Sequence, residues 1–338
     1  MRFLALHLVG LIFGFAPVFF YAYGAGFKEP ALNENLYGVE IDGARVWIVG
    51  YYGTILHSPD RGQSWQIQSS PTRKALYTAR FTGLSTGWIT GSSGTLLHTA
   101  DGGKTWNSHA LDTSEHLFAS HWLDESRGWL AGSRGVTFRT VDGGRSWTKL
   151  VIPGDYSFSA ITFTDRLRGW LAGEFGAIFR SEDGGARWTK QKSPVEVSFD
   201  SGASQNLFTL LFTGPSRGYA FGLDGLVLQT QDNSGWKIAR RRENNHGAAA
   251  SHLFAAAAFQ GRILAVGERG TFLQADEEKA WRAVRLDIPR LSLNAIAFSA
   301  DGFGIIAGNR GLVLRTLDGG KTWARLRPTV MPKDGHLP

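Results

Sequence analysis

The sequence contains no cysteine in its 338 residues. Disulfide bonds, thiolate zinc sites, cysteine nucleophiles, c-type haem attachment and a lipidated N-terminal cysteine are therefore excluded. Charged residues are also scarce, at 19% against roughly 25% in typical soluble domains, whereas aromatic residues reach 12%. Because disordered chains are rich in charge and poor in aromatic residues, this composition argues against disorder.

Acidic residues are outnumbered, since 29 acidic against 36 basic residues leave a net charge of +7. A basic surface favours anionic partners but carries no information about the fold. Glycine is abundant, with 43 residues, but it lacks the three-residue period of collagen.

Long apolar runs are confined to the first 26 residues. Arg2 precedes an apolar run from Phe3 to Gly26, and the first firm charges after it are Lys28 and Glu29. This arrangement is typical of an export signal, yet its length approaches the roughly 20 residues that span a bilayer. The sequence predicts either a cleaved signal peptide or a retained membrane anchor over 1–26, and a buried core helix is the less typical alternative. Either export route places the rest of the protein in the periplasm, where it is either soluble or anchored to the inner membrane by residues 3–26. Nucleic acid is therefore not expected as a partner.

One pattern, Ser/Thr-x-Asp-x-Gly-x-x-Trp, recurs along the rest of the chain. Five copies are well formed, and two weaker copies keep the aspartate and the tryptophan, one being a residue short and the other lacking the glycine. The seven pairs are Asp60 and Trp65, Asp101 and Trp106, Asp142 and Trp147, Asp183 and Trp188, Asp232 and Trp236, Asp276 and Trp281, and Asp318 and Trp323. Successive aspartates are 41 to 49 residues apart.

The residues around each copy repeat as well. A Gly-x-x-Gly pair lies about ten residues before each aspartate, and a short apolar segment lies further upstream. Such runs bounded by glycine, aspartate and serine are strand signals, and glycine permits the tight turns between strands. The aspartate can accept hydrogen bonds from the N–H groups of its own turn, while the tryptophan can pack between sheets.

Units of about 42 residues with four strands are typical of propeller blades. The sequence therefore predicts an all-β fold with one seven-bladed β-propeller over 36–327. A linker over 27–35 precedes it, and a C-terminal tail over 328–338 follows it.

The repeated box resembles the BNR or Asp-box repeat. The chain is similar to the photosystem II assembly/stability factor family in three features: seven units in phase, glycine and tryptophan in the second strand, and an export segment. That family has members in bacteria without photosynthesis. The resemblance covers about residues 36–327 and implies a non-enzymatic scaffold that binds a membrane protein or its assembly intermediate. Without cysteine, the lipoprotein anchor of cyanobacterial members is impossible here.

A glycan-binding or sialidase-like glycoside-processing propeller is the alternative, because Asp boxes also occur in sialidases. Such a site requires three arginines around a carboxylate, a tyrosine paired with a glutamate and an acid/base aspartate. The Arg-Ile-Pro string of those enzymes has as its nearest counterpart Val151-Ile-Pro153, which lacks the arginine. One catalytic acid per blade makes no chemical sense, so we interpret the box aspartates as structural. The nine histidines show no H-E-x-x-H spacing, and neither a metal nor a cofactor is predicted.

The candidate binding residues are arginines expected on one face of the ring. In a four-stranded blade, the turn between the second and third strands lies on the same side as the connections between blades. The predicted partner-binding residues there are Arg134, Arg240, Arg241, Arg242, Arg269 and Arg310. Arginine suits a bidentate grip on carboxylates, so the expected partner has an acidic surface, although a solvated charge run is the alternative. The opposite face carries Arg127, Arg168 and Arg217, which leaves the choice of face open.

One repeat position in the first strand of each blade is expected to line the central channel. The early blades place Glu40, Arg80, His121 and Thr162 there, and the later ones Leu211, Ala258 and Ala297. The channel wall is therefore predicted to be more polar on one side.

Overall fold

The computed structural model describes residues 32–197, 205–232, 235–240, 251–276, 280–328 and 330–331. The predicted export segment over 1–26 and most of the predicted linker lie outside these ranges. No helix within them is long and apolar enough to cross a membrane.

The described chain folds into seven antiparallel sheets, each a meander of four consecutive strands. Blade 1 contains β1 (Leu36–Asp42), β2 (Arg45–Gly50), β3 (Ile55–Ser58) and β4 (Trp65–Ile67). Blade 2 contains β5 (Leu76–Phe81), β6 (Gly87–Gly91), β7 (Leu96–Thr99) and β8 (Asn107–Ser108). Blade 3 contains β9 (Leu117–Trp122), β10 (Gly128–Gly132), β11 (Val136–Thr140) and β12 (Thr148–Val151). Blade 4 contains β13 (Phe158–Phe163), β14 (Gly169–Gly173), β15 (Ile178–Ser181) and β16 (Thr189–Gln191).

The remaining three blades follow the same order. Blade 5 contains β17 (Leu207–Phe212), β18 (Gly218–Gly222), β19 (Val227–Thr230) and β20 (Lys237–Arg240). Blade 6 contains β21 (Leu253–Phe259), β22 (Arg262–Gly267), β23 (Phe272–Asp276) and β24 (Arg282–Ala283). Blade 7 contains β25 (Leu293–Phe298), β26 (Gly304–Gly308), β27 (Val313–Thr316) and β28 (Ala324–Leu326). The predicted seven-bladed, four-stranded propeller is therefore confirmed.

The ring closes where blade 7 meets blade 1. The inner strands of neighbouring blades contact each other all the way round, including β25 and β1. A short strand, β29 (Val330–Met331), lies parallel to the outer strand of blade 1 and pairs Val330 with Trp65. It lies in the predicted tail over 328–338, although the sequence left open a ring-closing strand from residues 28–35 or 324–330, and it ties the end of the propeller to the first blade.

Aromatic side chains hold adjacent blades together. At the interface of blades 3 and 4, Phe163 stacks on Trp129 at 3.7 Å and meets Trp188 edge-on at 5.7 Å. The Trp129 indole N–H also donates to the Gly184 carbonyl, in the box turn of the next blade, at 2.9 Å. Tryptophans at this second-strand position are almost fully buried in blades 1 to 4. Because aromatic stacking adds to the free energy of burial, these interfaces are a main source of stability.

A glycine at the start of the second strand accompanies most of these stacked rings. Gly169 is the cross-strand partner of Phe163, and a Cβ there would lie 2.4 Å from the ring. The same pairing occurs between Gly87 and Phe81, Gly128 and Trp122, Gly218 and Phe212, and Gly304 and Phe298. In blades 1 and 6 the pairs are Ile41 with Val46 and Ala258 with Ile263. The glycine is present where an aromatic ring folds across it and absent where no ring does.

Every first strand carries an irregularity at the same place. The pairing register shifts between Leu36 and Gly38 in blade 1, and an equivalent shift occurs in the other six blades. The second residue of each first strand is thereby left out of the ladder. A bulge of this kind redirects the side chain of the extra residue.

Candidate partner-binding face

Backbone hydrogen bonds separate the molecule into two faces. The turns between second and third strands contact the residues that lead into the first strands, as in the bonds from Tyr51 N to Asn35 O at 2.7 Å and from Asn309 N to Ser292 O at 2.9 Å. We call this the arginine face. The box turns instead contact the turns between first and second strands, as in the bond from Gly143 N to Ser126 O at 2.9 Å. We call that side the aspartate face.

Three of the predicted arginines occupy one repeated turn position on the arginine face. Arg134, Arg269 and Arg310 have φ values of 51°, 55° and 55°. The other blades place Tyr52, Ser93, Phe175 and Asp224 there, all with positive φ. This left-handed conformation costs a non-glycine residue about 1 kcal/mol or more. It points the side chains outward, so that 74% of the Arg134 side chain and 57% of the Arg269 side chain are exposed.

The arginines do not form one contiguous patch. Arg240, Arg269 and Arg310 lie on the successive blades 5, 6 and 7, so they follow one arc of the rim. Arg134 belongs to blade 3 and is separated from that arc by blade 4. A partner that touches all of them must therefore span blade 4 along the rim or extend across the mouth of the central channel.

The guanidinium groups of the turn arginines are weakly paired. Arg134 Nη1 lies 3.6 Å from Glu115 Oε1, and Arg269 Nε lies 3.7 Å from Glu268 Oε1. Both distances exceed a good charged hydrogen bond, and exposed pairs of this kind contribute little. On the aspartate face, by contrast, Arg127 lies 2.6 Å from the Asp124 carboxylate and Arg168 lies 2.5 Å from the Asp165 carboxylate. The turn arginines Arg134 and Arg269 are thus less tightly paired than Arg127 and Arg168.

Arg240 differs from the other predicted arginines. It ends β20, and its guanidinium donates to the Gly225 carbonyl in the turn of its own blade. Burial lowers the pKa of this half-buried side chain. The interaction secures the outer strand against the turn, which the sequence could not indicate. Arg241 and Arg242 lie outside the described residues.

On the aspartate face, the box aspartates bind the N–H groups of their own turns. Asp142 Oδ1 accepts from Thr140 Oγ1 at 2.8 Å and from Ser146 N at 3.0 Å, and Oδ2 accepts from Ser146 Oγ at 2.6 Å. The same network surrounds Asp60, Asp101 and Asp318. The Ser146 hydroxyl and N–H lower the pKa of Asp142 to about 2. A carboxylate held ionised in this way is unsuited to donate a proton near neutral pH.

The box tryptophans lie behind these turns. Trp65, Trp106 and Trp236 are buried, and Trp147, Trp188 and Trp323 meet an aromatic ring of the first strand edge-on. Trp281 of the weaker sixth copy meets Phe221 of blade 5 in the same way at 5.7 Å. Asp183 accepts from Arg187 N at 2.9 Å, and Asp232 and Asp276 occupy the equivalent positions after β19 and at the end of β23.

The mouth of the central channel on the arginine face is aromatic, a feature that sequence reasoning missed. The bulged residues at this level are Tyr37, Tyr77, Phe118, Ser159, Phe208, Phe254 and Asn294. Tyr37 and Tyr77 have ring centroids 6.0 Å apart, Tyr77 and Phe118 are 5.4 Å apart, and Phe208 and Phe254 are 5.4 Å apart. All five rings are half-buried. The sequence feature that could have indicated this mouth is the aromatic residue at the second position of most first strands. An alternating pattern alone does not reveal that this residue lies in a bulge.

Of the polar residues predicted to line the channel, Arg80 lines the central cavity, whereas Glu40 and His121 contact the neighbouring blade at Phe81 and Phe163. The Arg80 guanidinium lies 3.2 Å from Glu40 Oε2 and also donates to the Ala79 carbonyl. Burial raises the pKa of Glu40 despite this cation. Burial, reinforced by Arg80, lowers the pKa of His121 to about 4. The register places Ala257 at this position of blade 6, since it pairs with Leu264, whereas the sequence pattern indicated Ala258; the longer strand β21 shifts the count by one.

The contacts of the tyrosine hydroxyls do not match a sialidase-like site. Tyr52 accepts from Arg73 at 3.2 Å, Tyr156 accepts from Lys190 at 2.7 Å, and Tyr219 accepts from Gln229 at 3.2 Å. The glutamate partner that the enzyme requires is not among these contacts. Within the ranges that the structure describes, no three histidine, aspartate or glutamate side chains are grouped to hold a metal ion.

The fold and this face define a class: a seven-bladed β-propeller with four-stranded blades and an arginine-bearing, aromatic-centred face. The model of the photosynthesis system II assembly factor YCF48 family matches residues 63–155 and 150–231, together half of the chain. The chain belongs to this family.

Solved structures agree on the fold. A structure of YCF48 bound to D1 peptide is 20% identical, with a TM-score of 0.67 over 85% of this chain and 92% of that one. YCF48 from Cyanidioschyzon merolae is 17% identical, with a TM-score of 0.68 over 86% and 97%. Virginiamycin B lyase from Staphylococcus aureus is 13% identical, with a TM-score of 0.68 over 84% and 97%. Among curated proteins, none matches the chain.

Proposed function

We propose that this protein is a non-catalytic, exported scaffold that binds a membrane protein, or an intermediate in its assembly, through the arginine face. The observation that carries the proposal is the repeated display of Arg134, Arg269 and Arg310 at one left-handed turn position of a rigid ring. Family membership supports it, and so does a related YCF48 that is bound to a D1 peptide.

The expected partner has an acidic surface. Three exposed guanidinium groups on a rigid frame attract carboxylates and hold them in a fixed arrangement. Binding through such groups relies on charge complementarity and weakens as salt increases. The apolar segment over residues 3–26 would keep the propeller in the periplasm next to the inner membrane, where a membrane protein under assembly is accessible.

The test is a crosslinked pull-down of the full-length protein from its native membranes, washed at low and at high salt, with the partners identified by mass spectrometry. We expect one membrane complex that is retained at low salt and released at high salt. A matched pair of variants places the site: R134A/R269A/R310A removes three charges from the arginine face, and K104A/R145A/K321A removes three exposed charges from the aspartate face.

We expect the first variant to lose about tenfold in affinity at low salt, since each exposed charge contributes roughly 0.5 kcal/mol, and the second to bind normally. A further variant, R241A/R242A, tests the remaining sequence-predicted arginines without breaking the bond from Arg240 to Gly225. Equal binding by the two triple variants would refute this placement, and the absence of any protein partner would refute the scaffold itself.

A further inference from the structure

The channel beneath the aromatic mouth holds an arginine with spare hydrogen-bonding capacity. Arg80 lines the central cavity, of about 410 Å³, together with the bulged aromatic residues. Its Nη1 serves both Glu40 and the Ala79 carbonyl. Its Nε and Nη2 have no hydrogen-bond partner in the parts of the chain that the structure describes. The side chain is 39% exposed and is among those that line the cavity.

The cavity changes character along its depth. The rings of Tyr37, Tyr77, Phe118, Phe208 and Phe254 form its apolar entrance. Below them, the Thr78 and Ser120 hydroxyls bond to each other across two blades at 2.7 Å. Arg80 follows Tyr77 by three residues on β5, which is about 10 Å deeper at roughly 3.3 Å per residue. An apolar entrance, a polar middle and a cation thus follow one another on a single path.

We propose that the central channel is a second binding element, which accepts an extended peptide segment of the partner with an apolar side chain in the aromatic mouth and a carboxylate on Arg80. The proposal rests on the scaffold function above and specifies the chemistry of the partner segment. In an extended chain, two residues span roughly 7 Å, and the terminal carboxylate oxygens lie about 2.4 Å beyond the last Cα, which together approach the depth of about 10 Å. A C-terminal carboxylate two residues after an aromatic or aliphatic residue therefore fits the spacing.

The ion pair between Arg80 and Glu40 supplies a test that separates binding from folding. In this arrangement Glu40 competes with an incoming carboxylate for the same guanidinium. E40Q keeps an amide oxygen for the Phe81 N–H, which donates to Glu40 Oε1 at 3.1 Å, but it removes the competing charge. E40Q is therefore expected to strengthen carboxylate binding, whereas R80Q abolishes it. A purely structural role of the pair would make both substitutions harmful.

The probe is acetyl-(4-fluoro)Phe-Gly-Gly, used with a free carboxylate and as the carboxamide, with binding to the full-length protein measured by fluorine NMR. We expect the carboxylate to bind at least about tenfold more tightly than the carboxamide, as for a charged hydrogen bond. R80Q should remove this preference, and E40Q/R80Q should do the same without leaving Glu40 unpaired. F118A should weaken both probes, and L84A, at an exposed side chain on the aspartate face, should change neither.

Equal affinities for the two probes, a carboxylate preference that survives E40Q/R80Q, or no binding of either probe would overturn the proposal. These outcomes are independent of the pull-down. A partner captured normally by a protein that ignores the probe would leave the scaffold function standing and remove the channel site. Binding of the probe without any captured partner would do the reverse.

Discussion

The pairing of a glycine with a ring that folds across it leads to a sharp prediction about stability. Gly169 lies opposite Phe163, and an added Cβ would stand 2.4 Å from two atoms of that ring. Gly169 does not have positive φ, so alanine adds no backbone strain there. The whole cost of G169A must therefore come from displacement of Phe163, which stacks on Trp129 at 3.7 Å.

The magnitudes follow from packing. Overfilling a close-packed site costs about 1–3 kcal/mol, so G169A should lower the free energy of unfolding by roughly 2 kcal/mol. F163A removes a ring that is 4% exposed, and truncation of a buried phenylalanine costs about 3–5 kcal/mol. In F163A/G169A the new methyl group enters the space that the ring has left. The double variant should therefore be no less stable than F163A, which gives a coupling energy of about 2 kcal/mol.

The assay is urea unfolding followed by both far-UV circular dichroism and tryptophan fluorescence, since coincident transitions justify a two-state analysis. G214A is the matched control, because a Cβ at Gly214 would meet nothing within 4 Å, and it should leave stability within about 0.5 kcal/mol. The reasoning is refuted if the loss of unfolding free energy in F163A/G169A equals the sum of the losses in G169A and F163A to within about 0.5 kcal/mol.

Three further predictions follow. The pKa of His121 is lowered from 6.5 to about 4, so between these pH values the unfolded chain takes up a proton and the folded chain does not. The free energy of unfolding should therefore fall by on the order of 3 kcal/mol as the pH drops through this window. In denaturation experiments at pH 7 and pH 4.5, H121L, which copies Leu211 of blade 5, should show a smaller change in stability. The pKa of Asp142 is about 2, chiefly through Ser146, so its stabilisation is present above about pH 4 and is lost as the pH falls through 2; S146A should raise this pKa in a carboxyl NMR titration, and an unchanged value would contradict the assigned cause. Deletion of residues 328–338 removes β29 and should increase proteolysis within blade 1, whereas unchanged protection would show that the parallel pairing contributes nothing to closure.

Much of the fold was predictable because its determinants are local and repeated. The spacing of Asp60, Asp101 and Asp142 and the Gly-x-x-Gly pairs mark turns, and turns set the strand boundaries. Seven repetitions then make the architecture clear even where a single copy, such as that at Asp276, is degraded.

What the sequence left out depends on contacts across the ring. The parallel pairing of Val330 with Trp65 joins opposite ends of the chain, and the bond from Arg240 to Gly225 arises only once blade 5 has folded. The aromatic mouth depends on a bulge beside Tyr77 and its equivalents, and a shift of one residue in pairing is invisible to an alternating pattern. The weak pairing of Arg134 likewise follows from side-chain distances rather than from residue order.

The short parallel pairing of β29 with β4 also sets an order of events during synthesis. Blade 1 is made first, yet the outer side of β4 has no partner strand until residues 330–331 emerge some 260 residues later. Until then β4 is an open edge, and open edges recruit strands from other chains. A nascent or truncated chain therefore exposes one strand edge of blade 1 that the complete chain covers, and β29 can pair with β4 only after all seven blades have been made.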